Sequence, residues 1–303
     1  MSEIKVIVNP ASAHGLTGKN WPHISTKLES LVGSFSYEFT NARGHATEIA
    51  RKFLQQGGVW IISVGGDGTL NEIANAFFKD KKNLYPNSVF SVINTGTGGD
   101  FIKSIKSRFH STDFLGKKDE KFTDHKLDVI QMDCKTGIRY FINMASFGLG
   151  GQVVDRINRY KFLKILGGKA SYYIITLLTL LLYKNKRIDL KVDGQSLNRQ
   201  VQNIAIANGI FQGGGMKMAP DAILNDGLME IILFENLNFF ETIFLSKKIY
   251  SGEHIFHKKI KTFKAKIFEI QGEYNIPFDL DGETWGYSPA NLSVIPSAIK
   301  IRI

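Results

Sequence analysis

Residues 61–77, IISVGGDGTLNEIANAF, place three glycines, an aspartate and a threonine between two apolar runs of different period. The run 59–64 (VWIISV) reads as a buried strand that stops at Gly65-Gly66, and 69–78 as a helix that starts at once, with Leu70, Ile73, Ala74 and Phe77 on one face. Glycines 65, 66 and 68 let backbone approach a ligand closely, and a helix start offers unpaired N–H groups to an anion. That combination is a phosphate cradle. It is neither a Walker A loop, since no Lys-Ser/Thr follows, nor the G-x-G-x-x-G dinucleotide fingerprint. Thr69 and Glu72 have the Thr-x-x-Glu spacing of a capping box, which sets the expected helix start. Asp67 is what a plain glycine turn leaves unexplained. A carboxylate beside phosphates repels them unless a metal or a hydrogen-bond donor accommodates it.

A second strand–turn–helix unit lies at 90–105 (FSVINTGTGGDFIKSI), with Gly96, Thr97, Gly98 and Gly99 in its turn. In a parallel α/β sheet such turns line one crevice at the carboxyl ends of the strands. Two later acidic turns, Asp226-Gly227 and Asp281-Gly282-Glu283, read equally well as Asp-Gly hairpin chemistry or as sites.

These turns need a scaffold. Strands at 4–8, 36–40, 59–64 and 89–93 alternate with helices around 23–32, 46–54 and 69–78, which argues for a parallel sheet covered on both faces. The polar, charged stretch 104–126 reads as a boundary. After Leu127 short alternating runs (187–192, 203–207, 229–234, 265–270 and 277–280) predict antiparallel sheet, with a sandwich as the outcome. The stretch 156–183 is the helical exception. The expected domains are therefore an α/β domain at 1–126, completed by the tail 292–303, and a β-rich domain at 127–291 with a helical insertion at 156–183.

At 303 residues the chain is long for one core. Hydrophobic residues at 43% and charged residues at 22% are those of a globular protein, not of a disordered chain or a multi-span membrane protein. The single cysteine, Cys134, makes no internal disulfide, and the N-terminus lacks the apolar run of a secretory signal, so a cytoplasmic setting is expected. The net charge of +10 is concentrated. Residues 156–191 hold nine Lys/Arg and one acid, and 247–266 hold seven Lys and one acid. The first cluster flanks an apolar run, 170–183, that is too short to span a bilayer and reads as a buried helix or as one leaning on a membrane. The basic surface fits an anionic membrane. No nucleic-acid motif accompanies the charge.

With these residues in place the chain resembles, over essentially its whole length, the lipid kinases built on the diacylglycerol-kinase catalytic domain, among them bacterial diacylglycerol kinases and sphingosine and ceramide kinases. The motifs are NP at 9–10, T-x3-GHA-x-EIA at 40–50, GGDGTLNEIAN at 65–75, GTGGDF at 96–101, FINMASFGLGG at 141–151, GGGMKMAPDAILNDG at 213–227 and DLDGE at 279–283. GGDGT alone is shared with NAD kinases; the ordered set is specific. The resemblance implies an α/β nucleotide domain followed by a β-sandwich, and an ATP- and magnesium-dependent kinase for a lipid hydroxyl. Under it Asn9, Pro10, Thr40, Gly65, Gly66, Asp67, Gly68, Thr69, Leu70, Asn71, Glu72 and Thr97 are the ATP contacts. Asp226, with carbonyls of Ile223 and Leu228, is the magnesium site, Glu283 the general base, and Asp67 a residue near the phosphates and the catalytic magnesium. The partners implied are a membrane lipid and the anionic inner face of the membrane, held peripherally, with a homodimer left open.

The chain departs from the family twice. The second turn usually reads Pro-x-Gly-Thr-x-Asn-Asp-Phe, whereas Asn94 stands for the Pro and Gly99 for the Asn. In the first loop Ala13 stands where a glycine is usual. Two other readings compete: a soluble NAD-kinase-like enzyme, and a non-catalytic nucleotide- or lipid-binding regulator.

Overall fold

The computed structural model describes residues 3–111, 114–116, 121–159, 168–272 and 275–303, which fall into two compact units. The first is Met1–Val129 with Ile223–Gly227 and Ile295–Ile303; the second is Ile130–Ala222 with Leu228–Val294. The N-terminal unit is α/β and the other is β-rich. Lys161 and Lys164 of the first basic cluster lie outside the described residues.

In the first unit strands β1 (Ile4–Val8), β2 (Ser36–Phe39), β3 (Trp60–Gly65) and β4 (Val89–Asn94) form a parallel sheet in the order β2–β1–β3–β4, extended by Lys300 and Ile301 of the tail alongside β4. Helices α1 (Leu16–Val32), α2 (His45–Gln55), α3 (Asp67–Ala76) and α4 (Asp100–Phe109) connect and cover it. Val6, Val8, Ile62, Val64 and Ile93 meet Trp21, Ile24 and Leu28 of α1 in one buried cluster. The polar segment expected as a boundary begins inside α4. Asp100, Phe101, Ser104 and Ile105 of that helix are buried, and Lys103, Lys106 and Arg108 are half-buried. The first unit also takes back 223–227, because the buried Asp128 carboxylate accepts the N–H groups of Gly227 and Ser297 at 2.6 Å each and its own N–H donates to the Leu224 carbonyl.

The second unit is antiparallel. Strand Gln195–Ala207 is central, paired on one side to Met229–Glu235 and on the other to Lys186–Val192 along its first half and Met144–Gly148 along its second. Strand Pro277–Leu280 pairs with Met144–Gly148 and forms a hairpin with Glu283–Tyr287. The alternation is incomplete where burial is two-sided. Ile204 and Ile206 enter one core with Phe147, Phe268 and Phe278, while Ala205 and Ala207 enter a second with Met144, Ile232 and Leu245. The run 265–270, expected as one strand, is two: Ile260–Ala265 and Ile267–Gln271. Between them the Asp193 carboxylate accepts the N–H groups of Lys266 and Ile267.

Helices α5 (Leu149–Arg159) and α6 (Gly168–Leu182) occupy the expected helical insertion, α5 starting seven residues earlier than read. The sequence reading missed a further helix, α7 (Phe239–Ser251). Its start is a complete capping box: Asn238 accepts from the Glu241 N–H, and the Glu241 carboxylate accepts from the Asn238 N–H, both at 2.9 Å. Asn238→Ala should therefore lower stability by about 1 kcal/mol, the usual value of such a cap. Equal denaturation midpoints for variant and parent would show that packing alone holds the helix.

Candidate nucleotide and metal sites

The four loops that leave the carboxyl ends of β1 to β4 carry the expected contacts of the first unit. Asn9 follows β1, Thr40 follows β2, Gly65 ends β3 with Gly66–Thr69 after it, and 95–99 follows β4. Asn9 holds the first and third together, donating from Nδ2 to the Thr69 hydroxyl at 3.0 Å while its backbone N–H donates to Val64. Thr40 donates its N–H to the Val8 carbonyl. Pro10 lies against Gly18 of α1, where a Cβ would stand 3.1 Å from the proline ring. The third and fourth loops touch through backbone: a Cβ on Gly96 would sit 2.6 Å from the Gly66 Cα, and the N–H groups of Thr95 and Gly96 both donate to the Gly65 carbonyl.

Helix α3 starts at Asp67 with Gly66 as its cap, so Thr69 is inside the first turn and the expected Thr69–Glu72 capping box does not form. The reason is competition. Asn9 takes the Thr69 hydroxyl, and the Glu72 carboxylate crosses to the start of α2, where it accepts the N–H groups of Gly44 at 2.8 Å and Ala46 at 3.1 Å. Leu70, Asn71 and Glu72 are buried and have partners within the unit, whereas Gly66, Asp67 and Gly68 are half-buried and Thr97 is exposed.

Asp67 caps the neighbouring helix. Its two carboxylate oxygens accept the N–H groups of Asp100 at 3.1 Å and Phe101 at 3.3 Å, the first two residues of α4. Burial pushes its carboxyl above the usual carboxylate range. The two N–H donors and Lys103 oppose that shift, and the Asp100 charge adds to it. Lys103 was not singled out from the sequence. Its ammonium binds the Gly98 carbonyl at 2.8 Å and the Asp100 carboxylate at 3.1 Å, placing a cation beside the glycine turn. The signal for it was an Asp and a Lys three residues apart in a first helical turn. With α3 bare of any side-chain cap, two helix starts and a lysine surround backbone glycines, an arrangement that can hold a polyanion.

Both departures have a structural account. Ala13 has φ +51°, a left-handed conformation that favours glycine. Gly99 has φ +62°, and a Cβ there would stand 2.3 Å from Asn94 Nδ2. The Asn94 amide thus fills the space that a side chain at 99 would need.

Asp226 is exposed, on the segment whose backbone Asp128 organises. Burial raises the Asp128 carboxyl above the usual range, with the Asp226 charge adding to the shift. Among the described residues no three His, Cys, Asp or Glu side chains gather to hold a metal. What Asp226 and the carbonyls of Ile223 and Leu228 offer is oxygen only, the donor type that magnesium takes. Asp128 was also missed, since a lone Asp in a strand carries no spacing signal. In the second unit Glu283 opens the strand after a two-residue turn in which Asp281 and Gly282 both have positive φ; it is register partner to Leu280, and its side chain lies outside the described residues. Asp281 anchors the turn, its carboxylate and its N–H each bonding Met144 backbone at 2.9 Å.

Comparisons with known proteins cover nearly the whole chain. The pattern described as the diacylglycerol kinase catalytic domain matches residues 3–127, and that described as the YegS C-terminal NAD kinase beta sandwich-like domain matches residues 143–303. A diacylglycerol kinase of Staphylococcus carnosus is 30% identical over 98% of this chain and 94% of its own length. A probable lipid kinase YegS-like of Yersinia enterocolitica is 31% identical over 80% of this chain and 78% of its own. A crystal structure of a putative diacylglycerol kinase from Bacillus anthracis has the same fold, with TM-score 0.74 and 21% identity over 98% of this chain and 96% of that one.

Two outcomes follow from this geometry. Because the fold raises the Asp67 pKa, it favours the protonated carboxyl, and stability present below about pH 4 is lost as pH rises through the folded value. Asp67→Asn removes that dependence, so its thermal midpoint should gain on the parent between about pH 4 and pH 7. A constant difference across that range rules out burial as the cause. Separately, Gly99→Asn should destabilise the parent but be tolerated once Asn94→Ala has cleared the space. A double-mutant cycle with no coupling beyond about 0.5 kcal/mol would disprove the exchange of space between 94 and 99.

Proposed function

The chain belongs to the diacylglycerol kinase and YegS-like lipid kinase family, phosphotransferases that act on an alcohol, and from that premise we propose an ATP- and magnesium-dependent kinase for the hydroxyl of diacylglycerol or a related glycerolipid. The observation that carries this reading is the cluster of strand-end loops, where α3 and α4 begin side by side against the touching backbones of Gly66 and Gly96. Phosphoryl transfer demands positioning and charge neutralisation more than covalent chemistry, and this cluster is suited to both. In the proposed reaction Glu283 takes the proton of the lipid hydroxyl as that oxygen attacks the γ-phosphoryl group and ADP leaves. Backbone N–H groups from Gly66 to Thr69 hold phosphate oxygens, Asn9, Pro10, Thr40 and Thr97 bound the nucleotide, and Asp67 keeps α3 and α4 in step. Magnesium, when bound, supplies neutralisation of the phosphate charge. Asp226 with the Ile223 and Leu228 carbonyls is the proposed structural magnesium site.

The lipid substrate places the enzyme at the cytoplasmic face of the membrane as a peripheral protein. Among the described residues no helix is long and apolar enough to cross a bilayer. Full-length similarity to diacylglycerol kinases favours this reading over the NAD-kinase-like one. The test is purified protein with labelled ATP, magnesium, a panel of lipid micelles, and NAD alongside. Label should enter a lipid and not NAD, and the opposite result rejects the proposal. Glu283→Gln should keep ATP affinity and lower turnover by ~10²–10⁴, the share of a positioned general base. Wild-type turnover would reduce Glu283 to a turn residue.

A further inference from the structure

Helix α7 carries its apolar side chains on the wrong side for a helix facing water. Phe240, Ile243, Phe244 and Tyr250 recur at helical spacing and are all exposed; Phe240 keeps 80% and Phe244 60% of its accessible surface. The opposite side of the helix is also apolar, with Leu245 and Ile249 packed into the core. Helix α6 repeats the pattern: Ile175 and Leu180 are buried, while Leu178, Leu181 and Leu182 are exposed, Leu182 at 68%. An ordinary surface helix puts charge on its outward stripe, and a contiguous exposed apolar patch marks an interaction surface.

The two stripes belong to one rim of the second unit. Asn185, three residues beyond α6, donates from Nδ2 to the Leu237 carbonyl at 2.9 Å, two residues before α7. The end of α6 and the start of α7 are therefore neighbours. The charge around them is mostly basic. Lys184, Lys186 and Lys247 are exposed, whereas Glu241 is held in the α7 cap and by the Lys259 ammonium at 2.7 Å. Helix α6 also leads to the proposed base. It packs on α5, with Arg156 donating to the Thr179 hydroxyl at 3.2 Å, and α5 packs on the hairpin that Glu283 belongs to.

We propose that the last turn of α6 and the outward stripe of α7 form a bilayer-inserting surface, with Leu182, Phe240 and Phe244 seated among acyl chains and Lys184, Lys186 and Lys247 against the phosphates of anionic lipids. This deepens the lipid-kinase reading and rests on it. The chemistry is that of an amphipathic segment lying in the interface: apolar burial gives a salt-resistant part of the affinity, and lysines give a salt-sensitive part.

The test uses the full chain and vesicles of phosphatidylcholine with phosphatidylglycerol. The double variant Phe240→Glu/Phe244→Glu should lose about tenfold or more in vesicle partition, including the fraction the parent retains at high salt, because the two aromatic side chains that the bilayer buries are removed. Its melting temperature should be unchanged. Its rate should fall with diacylglycerol in vesicles and hold with detergent-dispersed short-chain diacylglycerol. As a second probe, the fluorescence of Phe244→Trp should be quenched by brominated lipid beyond the background of the parent's own tryptophans. Unaltered partition of the double variant, or no added quenching, overturns the proposal. So does a result in which the double variant only converts a dimer to a monomer, which would assign the surface to a second copy of the chain. Sedimentation needs no turnover, so loss of all lipid phosphorylation with Phe-dependent vesicle binding intact would reject the kinase reading and leave the surface standing.

Discussion

No side chain fits between residues 66 and 96, since a Cβ on Gly96 would lie 2.6 Å from the Gly66 Cα. That backbone contact brings the ends of β3 and β4 together and sets α3 and α4 side by side at their positive ends. Helix α3 then serves its neighbours with its carboxylates. Asp67 satisfies the first N–H groups of α4, and Glu72 satisfies those of Gly44 and Ala46 at the start of α2. Buried N–H groups at helix starts cost free energy when unpaired, and the starts of α2 and α4 are closed by these carboxylates. The start of α3 has no such cap. The start of α1, after Gly15, likewise has no side-chain cap; that of α3 lies at the Gly66–Gly96 contact.

The same wiring explains what the sequence could and could not disclose. Strand positions in the first unit were legible because β3, β4 and the end of β1 are buried on both faces and read as mostly apolar runs, broken by Lys5, Ser63 and Ser91 and bounded by glycine or asparagine. The glycine turns at 65–68 and 96–99 were legible from the sequence as turns, and backbone contact accounts for Gly96, where a Cβ would meet the Gly66 Cα. The Thr69–Glu72 capping box was a misreading of correct spacing. Both side chains had better partners 60 and 26 to 28 residues away, and local spacing contains no information about those. Asp128 was invisible for the same reason: its partners, Gly227 and Ser297, are 99 and 169 residues distant.

In the second unit the difficulty was period rather than distance. Helix α7 is apolar on its packed side through Leu245 and Ile249 and apolar outside through Phe240 and Phe244, so no single stripe announces a helix. Its capping box was in the sequence as Asn238-x-x-Glu241 and was the usable signal. The glycines of FGLGG have a packing role that motif reading left unassigned. A Cβ on Gly151 would stand 2.1 Å from the Pro277 carbonyl oxygen, so the first turn of α5 lies directly on the strand that leads into the Asp281-Gly282 turn. A motif 130 residues before that turn thereby fixes the ground on which the turn stands.

The departures at 94 and 99 are best understood together. Taken one at a time, Gly99 deletes a side chain from the second turn and Asn94 adds one. In space they compensate: the Asn94 amide lies where a Cβ at 99 would intrude, and its Oδ1 accepts the Gly96 N–H at 3.2 Å. A carboxamide is therefore still present at the mouth of the turn, exposed and hung from β4 instead of from the start of α4. What the turn requires physically is a glycine at 96 for backbone contact and an acceptor for its N–H; a polar group can be supplied from either flank. Ala13 is the costlier change, since nothing offsets a left-handed alanine, worth about 1 kcal/mol of backbone strain. That strain falls on the loop after Asn9, whose Ser12 hydroxyl lies within 4 Å of a Cβ on Gly66, whereas the contact between Gly66 and Gly96 is made by glycine backbone and carries no left-handed alanine.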